Sequence, residues 1–183
     1  MSRKSIAMLV GSIRKQSINL RLAKAIQLYA PASMAFRYIR MDDMPFYNGD
    51  LEPDRPDAVR NFTNAIREAD GVCCVTPEYN RSIPALLKNA IDWGSKPPSE
   101  NVWNGKVFAM TGASPGSIGT AIGQQHLRQI MAVQGSIVMP GETYISFRTP
   151  EMISEDGVIA DQDLRDFIAA FAERFAQLID RMA

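Results

Sequence analysis

Three short segments of this sequence gather side chains suited to gripping a ligand, and each follows an apolar run. The first, residues 11–23, reads GSIRKQSINLRLA. The hydroxyls of Ser12 and Ser17, the guanidinium of Arg14 and the amide of Asn19 fall within eight residues, just ahead of a helical pattern. The first N–H groups of a helix have no internal partner and together carry about half a positive charge. Such a segment suits a terminal phosphomonoester, whose dianion accepts several backbone and hydroxyl donors while an arginine pairs with it through two parallel bonds. An N-cap role for Ser17, closing the helix and binding nothing, explains the same serine equally well.

The second segment, residues 76–93, reads TPEYNRSIPALLKNAIDW. Pro77 cannot donate to a ladder and so ends a strand, while Pro84 suits the first turn of the next helix. The tight turn between them can present the N–H groups of Glu78, Tyr79 and Asn80 to the polar edge of a flat heterocycle, with the Tyr79 ring face nearby. An aromatic at a turn also covers apolar surface or sits in a subunit contact. Glu78 has no sequence neighbour that forms an acid–base pair with it, so no side-chain catalysis is assigned to it. The third segment, residues 111–120, is TGASPGSIGT. Its glycines, with Ser114 and Ser117, let the main chain approach a ligand closely.

The elements that position these segments follow from periodicity. Apolar runs rich in β-branched residues and Met occupy residues 5–10, 35–41, 71–76, 106–111 and 136–140, and read as strands. Helical spacing fills residues 19–30, 56–69, 84–93 and 120–134, and returns from Asp161 onward. In that last helix Leu164, Phe167, Ile168, Phe171, Phe175, Leu178, Ile179 and Met182 form one stripe, which we read as core. Strict alternation of strand and helix predicts an α/β fold, a three-layer α/β/α sandwich around a parallel sheet. Five strands fit the flavodoxin-like order 2-1-3-4-5 better than the six-stranded dinucleotide fold, whose glycine fingerprint is absent after the first strand. In that order the switch point lies between strands 1 and 3, so a ligand meets the loops after strands 1, 3 and 4. Residues 45–56 and 95–104 read as loops inside one domain spanning residues 1–183.

Composition removes several function classes. Twenty Lys plus Arg balance twenty Asp plus Glu, which leaves no overall basic footprint for nucleic acid. The N-terminal stretch MSRKSIAMLVG resembles an export signal, but its apolar part ends after five residues, too short for a leader core or a membrane span. A cytoplasmic address is the expectation. Cys73 and Cys74 are adjacent in a predicted strand, so their side chains point to opposite faces and are read as small buried hydrophobes before redox thiols. With His126 the single histidine, a metal site of the Cys/His type has little support. His126 lies four residues from both Ile122 and Ile130, which suggests packing or a subunit contact.

Together GSIRKQSIN, TPEYNRSIPALLKNAIDW and TGASPGSIGT resemble the three flavin-binding segments of the NADPH-dependent FMN reductase family, and within it the quinone and chromate reductase type. The likeness runs over nearly the whole chain, and the TPEYN turn followed by SIP and LKNAIDW is its most specific part. The resemblance implies non-covalent FMN, with Ser12, Arg14, Ser17, Asn19 and Leu20 around the phosphate. It further implies Pro77, Glu78, Tyr79 and Asn80 along the pyrimidine side, and Ser114, Gly116 and Ser117 beneath the ring. A ping-pong reaction is implied, in which NADPH or NADH gives hydride to the flavin and leaves before a quinone or similar acceptor enters. Members are usually homodimers or homotetramers with flavin near a subunit boundary. Residues 41–54, with Met44, Phe46 and Tyr47, then belong to that boundary, to the acceptor pocket or to an ordinary surface loop.

Two other classes share this fold. A flavodoxin-type electron carrier passes single electrons between proteins, but such carriers usually depend on strong surface fields, and this chain is formally neutral. A flavin-binding sensor keeps the cofactor and shows negligible NAD(P)H oxidation.

Overall fold

Alternation along each strand decides which layer a side chain enters. In the first strand, β1 (Lys4–Val10), Ile6 and Met8 join one apolar cluster while Ala7 and Leu9 join the other. The computed structural model describes residues 3–183; Met1 and Ser2, the start of the leader-like stretch, lie outside it. After β1 come α1 (Ile18–Tyr29), β2 (Met34–Tyr38), α2 (Asp57–Glu68), β3 (Gly71–Val75), α3 (Ala85–Gly94), β4 (Val107–Ser114), α4 (Ala121–Val133), β5 (Ile137–Val138), β6 (Tyr144–Ser146) and α5 (Gln162–Met182). All pairings are parallel, in the order β2-β1-β3-β4-β5, as expected.

The two faces are covered by different helices. Leu22 and Ile26 of α1 pack with Ile168, Phe171 and Phe175 of α5 on one face. Phe62 of α2, Trp93 of α3 and Leu127 of α4 pack with Trp103 and Phe108 on the other. Cys73 falls in the first cluster and Cys74 in the second, so adjacent thiols are separated by the sheet. Burial pushes the Cys73 thiol up to about 12 and Cys74 upward as well, which leaves both as protonated apolar groups near neutral pH. The terminal stripe is core only in its middle: Phe167 and Met182 stand 40% and 51% exposed.

The structure adds a strand absent from the sequence reading. The eight residues of β4 outrun the two of β5, and β6 pairs with its last three, Gly112–Ser114 against Tyr144–Ser146. Pro140, which has no N–H, and Gly141, at φ 90°, break the margin of the sheet between the two pieces. Among the described residues no helix is long and apolar enough to cross a membrane.

Candidate functional site

All three segments meet at the carboxyl edge of the sheet. The cleft there is lined by Ser12, Arg14, Ser17 and Asn19 from the first, Pro77, Glu78 and Tyr79 from the second, and Ser114 from the third. Ile18, Ala113 and Pro115 complete it. Two glycines let the loops press together. A Cβ on Gly11 would stand 3.1 Å from Thr76 Oγ1 and 3.2 Å from Pro77 Cδ, and one on Gly112 would overlap Thr76 O at 2.0 Å. The cleft encloses about 180 Å³. That is below the ~300–1,000 Å³ of sites that bury a whole small molecule, so part of a larger ligand stays on an open rim.

The first loop keeps its donors available. The N–H groups of residues 12–16, and those of Ile18 and Asn19 in the first turn of α1, have no acceptor among the described residues. Arg14 is exposed and enters no ion pair among them. Ser17 is the N-cap: its hydroxyl accepts the Leu20 N–H at 3.2 Å, so the capping role is realised, while the residue still lines the cleft. Asn19 departs from the expected part. Its side chain is buried and doubly bonded to the main chain of Ala113, donating to the carbonyl at 3.0 Å and accepting the N–H at 2.9 Å. It ties α1 to β4, and only its own N–H is left for a ligand. Leu20 turns to the flank of α1, outside the cleft.

The second loop is a closed hairpin. Tyr79 and Ser82 exchange both N–H to carbonyl bonds at 3.0 Å, with Asn80 at φ 50° and Arg81 at φ 64° between them. Two consecutive positive φ values mark a type I′ turn, for which Asn-Gly is the favoured pair. An arginine in the glycine position costs on the order of 1 kcal/mol. The Tyr79 N–H is therefore occupied inside the hairpin, contrary to the expectation that it faces a ligand, whereas those of Glu78, Asn80 and Arg81 have no acceptor among the described residues. The Tyr79 ring is half exposed at the cleft. The Glu78 carboxylate also finds a partner: Oε2 accepts the Gly123 N–H of α4 at 2.9 Å.

In the third loop the Ser114 hydroxyl donates to Gly119 O at 2.6 Å and accepts the Gly116 N–H at 3.2 Å, so it folds the loop on itself. Gly116 and Ser117 are exposed just outside the cleft, as is Asn80. His126 is exposed on α4 with Nδ1 3.2 Å from Ser82 Oγ, so it does not pack into this chain's core. Of Met44, Phe46 and Tyr47 in the 41–54 loop, Met44 is buried, Tyr47 stacks edge-on against Trp93 at 5.1 Å, and Phe46 stands 80% exposed at the surface. A larger hollow of about 320 Å³ along α1 is basic, but its Arg21 and Lys24 are bonded to carbonyls of residues 150–155. It is lined by the first of the three segments with α1 and by Glu155, and by neither of the other two segments.

The donor set fits FMN: open amides and a cation where a dianion can sit, and fixed amides beside an aromatic face where a flat heterocycle can lie. Comparison with known proteins agrees. Residues 5–149 match the family described as NADPH-dependent FMN reductase. A 2-hydroxy-1,4-benzoquinone reductase of a Burkholderia species is 41% identical over 172 residues, covering 93% of each chain. A quinone reductase of Escherichia coli is 36% identical over 181 residues, 97% of this chain and 96% of its own. Among solved structures, the flavoenzyme NAD(P)H:(acceptor) oxidoreductase FerB of Paracoccus denitrificans superposes with a TM-score of 0.93 at 38% identity, over 97% of this chain and 98% of its own.

Proposed function

The chain belongs to the NADPH-dependent FMN reductase family, and from that premise we propose that it is an NAD(P)H-dependent quinone reductase working with FMN held in the three-loop cleft. One observation carries the reading. A single sheet edge brings Ser12, Arg14 and Ser17 together with Pro77, Glu78, Tyr79 and Ser114. Bound FMN supplies two-electron hydride chemistry between the nicotinamide donor and the acceptor.

The residues of the chain bind and orient. The unbonded amides of the first loop and the start of α1, with Arg14, hold the phosphate. The Glu78, Asn80 and Arg81 amides meet the polar edge of the ring and favour negative charge there. Tyr79 flanks the ring, and Ser114 with Gly116 and Ser117 forms its floor. No side chain of the cleft is given a catalytic role. An open cleft, together with the exposed side chains of Phe46, Ile118, Ile122 and His126, fits a homodimer or homotetramer in which a second copy borders the flavin. One domain over residues 1–183, a cytoplasmic address and chromate as a further acceptor complete the proposal.

The test begins with an absorption spectrum of purified protein, then release and identification of any yellow chromophore, then NADPH or NADH oxidation with a quinone. Flavin that titrates in stoichiometrically and turns over with a quinone is the expected result. Folded, colourless protein that takes up no FMN at saturation ends the proposal. Tight FMN with no NAD(P)H oxidation favours the sensor, and reduction in separate one-electron stages favours the carrier.

A further inference from the structure

Only the amide of Glu78 meets the ligand, yet its carboxylate side chain is just 8% exposed at the edge of the cleft. One oxygen accepts the Gly123 N–H at 2.9 Å and the other faces the Arg81 guanidinium at 3.4 Å. Gly123 is the third residue of α4, the position whose N–H an N-cap side chain ordinarily takes. The N-cap of α4 is Thr120, which forms no such bond; its hydroxyl instead accepts from the Gln124 amide at 2.8 Å. A residue 45 positions earlier thus closes the helix.

The contact is close in another respect. A Cβ on Gly123 would lie 3.2 Å from Ser82 O and 3.4 Å from Glu78 Cγ, so the hairpin rests directly on the helix start. That hairpin carries two positive-φ residues without a glycine, a conformation that persists only when its surroundings hold it. Two side-chain contacts join it to α4, the Glu78 to Gly123 bond at 2.9 Å and the exposed 3.2 Å approach of Ser82 Oγ to His126 Nδ1; the Glu78 bond is the shorter and the one that closes the helix.

We propose that Glu78 is a positioning residue, which caps α4 in place of Thr120 and thereby fixes the hairpin amides where the flavin ring meets them. The inference rests on the FMN reading and deepens it. Affinity for the ring depends on this bond, and affinity for the phosphate does not.

The experiment titrates apoprotein of the wild type, Glu78→Ala and Glu78→Gln with FMN and with riboflavin, which has the ring and no phosphate. Glu78→Ala weakens both ligands by the same factor, about tenfold. Glu78→Gln, whose amide oxygen still accepts the Gly123 N–H, stays within about threefold of wild type. Unchanged riboflavin affinity in Glu78→Ala overturns the inference, as does a loss confined to FMN or a Gln variant as weak as Ala. If Glu78→Ala does not fold, amide exchange at Gly123 in Glu78→Gln decides. Protection with retained riboflavin binding supports the tether, and an unprotected amide with undiminished riboflavin binding overturns it. Wild-type protein that binds neither ligand takes down the FMN reading and this inference with it, a result distinct from every failure among the variants.

Discussion

The loop after β1 and the hairpin after β3 border the same cleft and manage their main chains in opposite ways. In the first, the N–H groups of residues 12–16 have no acceptors among the described residues and Arg14 reaches into solvent. In the second, Tyr79 and Ser82 bond to each other and Glu78 is fastened to α4. A phosphate dianion accepts from many directions, so a loop rich in unbonded donors and one cation can adjust around it. The edge of a flat ring offers few acceptors at fixed spacing, and a pre-set hairpin matches it with little ordering cost on binding. The difference assigns charge and adaptability to one end of the ligand and rigidity to the other.

The strongest way to break this contrast is Gly112→Ala. Its Cβ would stand 2.0 Å from Thr76 O and 2.4 Å from Thr120 Oγ1, forcing the second and third loops apart. A loss of about 3 kcal/mol in chemical denaturation is expected, with riboflavin binding lost in whatever protein remains folded. Next is Arg14→Ala, which removes a charged donor worth ~1.5–3 kcal/mol and so weakens FMN by roughly 10- to 100-fold. Riboflavin affinity and melting temperature should not move, because Arg14 is exposed and enters no ion pair among the described residues. Equal loss of both ligands would erase the division between the loops.

A smaller effect comes from salt. Raising ionic strength from ~0.05 to ~0.5 M should weaken FMN several-fold and leave riboflavin nearly unchanged, since screening acts on the exposed cation and not on the hairpin amides. Smallest is Arg81→Gly, which removes the cost of an arginine at φ 64°. We expect ~0.5–1 kcal/mol of added stability in urea unfolding with ring affinity held. Lower stability would mean that the Arg81 contact to Glu78 outweighs the backbone cost.

What the amino-acid order disclosed was local. Apolar runs placed β1, β3 and β4 to within a few residues, and Pro77 and Pro84 marked the limits of the turn that became the hairpin. The strand order then put the loops of the cleft on one edge. Hidden were the bonds that join distant segments. Nothing near Asn19 announces that its amide pairs with Ala113, 94 residues on, and nothing near Glu78 points to Gly123. β6 escaped because three residues after a Pro-Gly break are too few to show a period, although the alternation in TYISF was a faint sign of it. The packing of the 41–54 loop was hidden for a related reason. Met44 and Tyr47 look like surface apolar residues until Asn89 and Trp93 of α3 draw Pro45 and Tyr47 against the body of the protein.

Beyond β4 the sheet offers only a two-residue and a three-residue piece, interrupted by a proline. A neighbouring molecule seeking to lengthen the sheet on that side meets no continuous row of main-chain donors and acceptors to zip onto. Crowded copies are thus not drawn into fibrils from that border.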